Sequence, residues 1–262
     1  MPFATGLHYT FHNPGKTSTS RPPLILLHGA GGSLLSWHPY IRRLANTTVY
    51  ALDLPGHGKS AGQPRQSIEE IARDVSAFLE ALRIETVVIA GLSMGSGIAL
   101  TLGLKYAHKV VGLALLGGGS KLRVANSILE NAGNPSTFES AVDLINANCF
   151  SAYAAPDMVA LSKQNMLSMS PAGLLADFTA CNQFDVTDQL SRIQVPTLIL
   201  CGAEDRMTPL KLSQTLKDRI PNSELHILEK TGHMLTLEQP ETIASLLGDF
   251  LDTIPLHPRP AA

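Results

Sequence analysis

The chain has 262 residues, 44% hydrophobic and 16% charged, with a formal net charge of −2. That apolar share can fill a sizeable core and excludes a disordered chain, while the near-neutral charge gives no ground for a nucleic-acid partner or an anionic membrane. Three scattered cysteines, Cys149, Cys181 and Cys201, make neither a disulfide framework nor a zinc-ligand spacing, so reduced thiols and no metal are expected.

The first six residues lack the basic start and apolar run of a secretion signal, and no stretch approaches the ~20 apolar residues of a membrane span. A cytoplasmic protein with no membrane partner is the expectation. Four short apolar runs follow, at 23–27, 48–52, 86–90 and 110–116. Each is apolar throughout, the pattern of strands buried on both faces of a parallel sheet. Between them lies helix periodicity: Ile68, Ile71, Val75, Leu79 and Leu82 share a stripe, and Ser67 with Glu70 has the spacing of a capping box. Residues 120–190 break the alternation, with helical stretches and several Met and Phe but no clear strand. Strands resume at 195–200 and 224–228, and an amphipathic helix follows Pro240, with Ile243, Leu246, Leu247, Phe250 and Leu251 on one face. The tail at 255–260 is expected to fray. The alternation predicts an α/β fold with a doubly wound, mostly parallel sheet flanked by helices. Residues 1–119 and 191–262 are read as its core domain, and 120–190 as a small helical cap.

Chemistry concentrates at the C-terminal ends of these runs. Gly91-Leu92-Ser93-Met94-Gly95 fits G-x-S-x-G, after a buried run and before a helical one. A sharp strand-to-helix turn strains the serine backbone and crowds the residues two before and two after it, so only small side chains fit there. Ser93 would be exposed at the sheet edge where open α/β sheets place their sites. A serine hydroxyl needs a base, and among nine histidines His233 stands best, in the loop between the last strand and the last helix. The base needs an acid to fix its tautomer. Asp205, in the loop after the run ending at Leu200, is the first choice and Glu204 the fallback. An oxyanion needs N–H donors already in place. Met94 supplies one, and the glycine-rich stretch after residue 27 the other, from Ala30 or alternatively Gly31. His28 is read as a structural residue that holds this loop. Residues 53–60 end in Gly-Lys-Ser but have Asp53 where a phosphate loop needs glycine, so no nucleotide or other cofactor is expected.

Together, His28-Gly29, the stretch from Asp53 to Ser60, Gly91-x-Ser93-Met94-Gly95, Asp205 before Thr208-Pro209, and Gly232-His233 resemble the α/β-hydrolase superfamily, over about residues 7 to 252. The resemblance implies a catalytic triad in the order Ser93, Asp205, His233, and makes the 53–60 stretch a structural turn. In some members the acid follows the strand that here ends at Leu116, but that loop offers only Gly117, Gly118, Gly119 and Ser120. Ser96 stands where the family often has glycine, which implies altered packing behind the nucleophile. Family members with an aspartate nucleophile act on haloalkanes or epoxides; Ser93 implies carboxylic-ester hydrolysis through an acyl-enzyme. The same triad would serve a carbon–carbon hydrolase, thioesterase, lactonase or perhydrolase, and some chains of this kind are non-enzymatic ligand receptors. Phe138, Phe150, Met166 and Phe178 of the cap, with Trp37, are the candidates to line a pocket for a small uncharged or apolar ester. A monomer or homodimer is expected.

Overall fold

The apolar runs form the parallel part of one eight-stranded sheet, seen in a computed structural model that describes residues 2–15 and 21–255. The expected fraying of the tail falls, from residue 256 onward, outside the described residues. In chain order the elements begin with β1 (Phe3–Ala4), β2 (Leu7–His12), β3 (Leu24–Leu27), α1 (Pro39–Arg42), β4 (Val49–Leu52), α2 (Ile68–Ala81), β5 (Val87–Leu92), α3 (Met94–Lys105) and β6 (Val110–Leu116). Four helices follow: α4 (Asn126–Ala132), α5 (Phe138–Cys149), α6 (Pro156–Leu167) and α7 (Pro171–Gln183). The chain then returns through β7 (Thr197–Gly202), α8 (Leu210–Arg219), β8 (Ser223–Leu228), α9 (Leu235–Glu238) and α10 (Pro240–Thr253).

The strand order is β1-β2-β4-β3-β5-β6-β7-β8, parallel from β4 to β8, with β1 and β2 antiparallel at one edge. That N-terminal hairpin is absent from the sequence reading. Its turn places Thr5 and Gly6 at φ 50° and 84°, a conformation that glycine adopts without cost. On one face of the sheet α2, α3 and α8 pack through Ile71, Val75, Phe78, Ile98, Leu102 and Leu216. On the other, α1 and α10 bury Ile41, Ile243, Leu247 and Leu251, with Trp37 beneath them. The stripe predicted for α2 is the buried one. Its box is half formed: Glu70 N–H donates to Ser67 Oγ at 3.2 Å, but the Ser67 hydroxyl donates to the Glu70 carboxylate instead of the carboxylate capping Ser67 N–H.

The helix after β3 goes to one face and the helix after β5 to the other, although β3 and β5 are neighbours. The crevice between their C-terminal ends is therefore a topological switch point, the place where such sheets take ligands. Over it lies the helical insertion α4–α7, with its own core of Ile128, Phe138, Val142, Ile145, Leu174 and Phe178. Its two ends meet in an antiparallel bridge between Lys121 and Asp185. No helix among the described residues is long and apolar enough to cross a membrane.

Candidate active site

Ser93, the one residue between β5 and α3, has φ 55° and ψ −115°, a strained backbone for any residue with a Cβ. Hydrogen bonds hold it there: its N–H donates to Leu116 O at 2.8 Å, and its carbonyl accepts from Ser96 N at 2.8 Å and Ser96 Oγ at 2.7 Å. The flanking glycines are required on steric grounds. A Cβ on Gly91 would overlap the Gly95 carbonyl, and one on Gly95 would overlap the Leu27 carbonyl. Met94 opens α3, so its N–H has no partner within the helix and is available as a donor.

His233 is fixed at both ends. Its N–H donates to Cys149 O at 2.8 Å, at the end of α5, and its Nδ1 lies 2.8 Å from Asp205 Oδ2. With Nδ1–H given to the carboxylate, Nε2 is left with a lone pair, the tautomer a general base requires. The Asp205 carboxylate also accepts Met207 N–H at 2.9 Å, Thr208 N–H at 2.8 Å and the Thr208 hydroxyl at 2.8 Å. Burial pushes its carboxyl upward, but the charge and hydrogen bond of His233 and the two bonds from Thr208 outweigh it and hold Asp205 below the usual carboxylate range. Glu204, the fallback acid, points elsewhere and accepts Ala152 N–H at 3.1 Å.

The glycine-rich loop after β3 meets Ser93: a Cβ on Gly29 would stand 3.1 Å from Ser93 Cβ. His28 donates from Nδ1 to Gly29 O at 2.8 Å and accepts Leu54 N–H on Nε2 at 3.0 Å, so it is neutral and holds the loop. Gly31 N–H is taken by Asp177 Oδ2 at 2.8 Å. Of the two loop donors considered, Ala30 is therefore the one with no protein acceptor among the described residues.

Ser93, His233, Ala30 and Gly31 line one cavity of about 70 Å³. Its apolar wall is Ile145, Met166, Phe178, Met207, Met234 and Leu237, and no lysine, arginine, aspartate or glutamate lines it among the described residues. Of the five pocket candidates from the sequence, Met166 and Phe178 line this cavity, and Trp37, Phe138 and Phe150 do not. Trp37 is wholly buried between α1, α10 and the sheet, and Phe138 and Phe150 fill the interior of the insertion. Cys149 reaches the cavity, but burial, with Asp205 and Glu238 nearby, pushes its thiol up to about 12, far from a reactive thiolate. Thr208 and Gly117, which the sequence reading names only as part of a motif and of a loop without an acid, both lie against the Asp205–His233 pair. A Cβ on Gly117 would sit 3.1 Å from His233 Nδ1, and no residue type in that loop announces such a contact.

The alpha/beta hydrolase fold model matches residues 22–240. The chain belongs to this family. Among similar α/β-hydrolases is the 2-hydroxymuconate semialdehyde hydrolase of Pseudomonas sp. (strain CF600), 30% identical over 95% of this chain and 92% of that protein. A solved N-acyl homoserine lactone degrading enzyme is 27% identical, with a TM-score of 0.80 over 93% of this chain and 96% of that one. A solved thermophilic esterase is also 27% identical, with a TM-score of 0.78 over 94% and 97%.

Proposed function

We propose that this α/β-hydrolase cleaves small, uncharged carboxylic esters through an acyl-enzyme on Ser93. The observation that carries the reading is the convergence on one apolar cavity of a strained serine, a histidine whose Nδ1 is held by a buried carboxylate, and a glycine loop with a vacant N–H donor. Ser93 Oγ attacks the ester carbonyl while its proton passes to His233 Nε2, and the carbonyl π pair moves onto oxygen. Ala30 and Met94 N–H groups receive that oxyanion. As the carbonyl re-forms, the C–O bond to the alcohol breaks and His233 returns the proton to the departing oxygen. Water then repeats the sequence against the acyl-Ser93 ester, releasing the acid and restoring Ser93. Asp205 stays ionised and stabilises the imidazolium in each step.

The size preference follows from volume. A cavity of about 70 Å³ is well below the roughly 300–1,000 Å³ of sites for larger ligands, so short acyl groups fit best. A series of p-nitrophenyl esters from acetate to laurate tests this. Many turnovers with a short-chain optimum, lost in Ser93→Ala, are expected; turnover retained in Ser93→Ala, or product stopping at one equivalent per protein, rules the reading out. Lactone opening is the second reading, favoured by the 27% identity to a lactone-degrading enzyme. A panel of acyl homoserine lactones in the same assay decides between them.

A further inference from the structure

The acyl-transfer mechanism leaves one buried ion pair unused. Asp177, on α7 of the insertion, lies 2.8 Å through the same Oδ2 from His57 Nε2 and from Gly31 N, and the His57 and Asp177 side chains are 1% and 0% exposed. His57 Nδ1 faces the Pro55 carbonyl at 3.0 Å. Both ring nitrogens thus face acceptors, so both carry protons and the ring is an imidazolium. Burial pulls its pKa down, but the Asp177 charge and hydrogen bond, with the Pro55 carbonyl, outweigh it and leave His57 above its ordinary value.

Such a pair is a poor stabiliser, because desolvating both ions offsets their attraction. Here the balance is worse, since Asp177 Oδ1 has no partner among the described residues. What the pair achieves is positional. Gly31, at φ +68°, is pressed beneath α7, where a Cβ would meet Leu174 Cδ1 at 2.8 Å. Its N–H is the neighbour of the vacant Ala30 donor, and Asp177 is its sole acceptor among the described residues.

We propose that Asp177, fixed by the His57 imidazolium, is a positioning residue for the oxyanion loop: it takes up Gly31 N–H, turns Ala30 N–H toward Ser93, and ties that donor to the seating of α7. The proposal rests on the acyl-transfer reading above. In Asp177→Ala the loop loses its anchor, and kcat on the best short-chain ester falls about 10–100-fold, below the ~10²–10³-fold of removing a hole donor outright. KM stays within about threefold, because the apolar acyl wall is untouched. Affinity for a trifluoromethyl ketone, whose adduct with Ser93 places its oxyanion in the hole, falls with kcat. Asp177→Asn, whose amide oxygen can still accept Gly31 N–H, recovers most of the loss. The double variant His57→Leu/Asp177→Leu strands no charge, so it folds and still shows the kcat loss.

A folded Asp177→Ala or double variant with wild-type kcat, or a loss confined to KM, overturns the positioning role alone. If neither apolar variant folds, the pair is a structural requirement and the role is overturned as well. Absence of turnover and of ketone binding in the wild-type protein sinks the acyl-transfer reading itself and this role with it.

Discussion

Ser96 and Gly118 compete for one small space behind the nucleophile. The Ser96 hydroxyl donates to Ser93 O at 2.7 Å and helps to hold the strained turn, and a Cβ on Gly118 would overlap that hydroxyl. Gly118→Ala should therefore overpack the site and destabilise the protein by about 1–3 kcal/mol. Ser96→Gly in the same chain should restore most of the loss. Urea unfolding of the two single variants and the double variant checks this; strictly additive effects would show that the two positions do not share the space. At Asp205 the matter is tautomeric. An amide nitrogen in place of Oδ2 would face Nδ1 and force the ring proton onto Nε2, which could no longer accept from Ser93. Asp205→Asn should lower kcat on the order of 10⁴-fold with the fold intact, whereas Glu204→Gln should leave it within about twofold. Residues such as Ser93, Gly91 and Gly95 were legible because the turn they build is continuous in sequence. Thr208 and Gly117 were not, because their roles exist only where three separate loops meet at His233.

At the scale of elements, the central parallel strands β3 to β6 were legible for a related reason: burial leaves a run with no charged residue to blur it, whereas the edge strand β8 carries Glu224 and His226 among its apolar residues. The hairpin β1–β2 escaped, because an edge strand half open to solvent mixes Leu7, Tyr9 and Phe11 with His8, Thr10 and His12. Aromatic content in residues 120–190 signals burial but not whether a ring faces a cavity or, like Phe138 and Phe150, packs within the insertion. The insertion is more than a cover. The C-terminal carbonyl of α5, at Cys149, accepts the N–H groups of His233 and Met234 at 2.8 and 3.0 Å. Glu238, at the end of α9, accepts Gly232 N–H at 3.0 Å and Ser151 N–H at 3.0 Å, binding the base-bearing loop to the chain beyond α5. Glu238→Ala leaves two partly buried donors unpaired and should cost about 1–3 kcal/mol, read as a lowered Tm together with a reduced kcat. A variant with unchanged Tm would show that water replaces the carboxylate without loss.

Across the whole molecule, the insertion meets the core through Asp177 at a pair of neighbouring, tilted histidine rings, one neutral and one protonated. The His28 and His57 rings lie 4.9 Å apart, with Asp53 and Asp177 as the nearby carboxylates. Burial and the neighbouring His57 charge push His28 from its ordinary 6.5 down to about 3, whereas His57 is raised above 6.5. The two give stability opposite slopes. Between pH 6.5 and about 3, unfolded His28 binds a proton that the folded chain refuses, so stability falls as the pH drops, by about 1.4 kcal/mol per unit. Above pH 6.5, folded His57 keeps a proton that the unfolded chain has lost. Its contribution is complete below that pH and fades as the pH rises through the folded value. Asp205, depressed below 3.8, adds stability that is lost only in stronger acid. The Tm should therefore peak near pH 6.5 and decline on both sides. His57→Gln should flatten the alkaline limb and leave the acid limb with only the part that burial of His28 supplies, because it removes both the proton that ties α7 of the insertion to the loop at 53–60 and the charge that adds to the depression of His28. Thermal melts from pH 4 to 9 for both proteins decide this, and an alkaline limb that persists in His57→Gln would place the titrating group elsewhere.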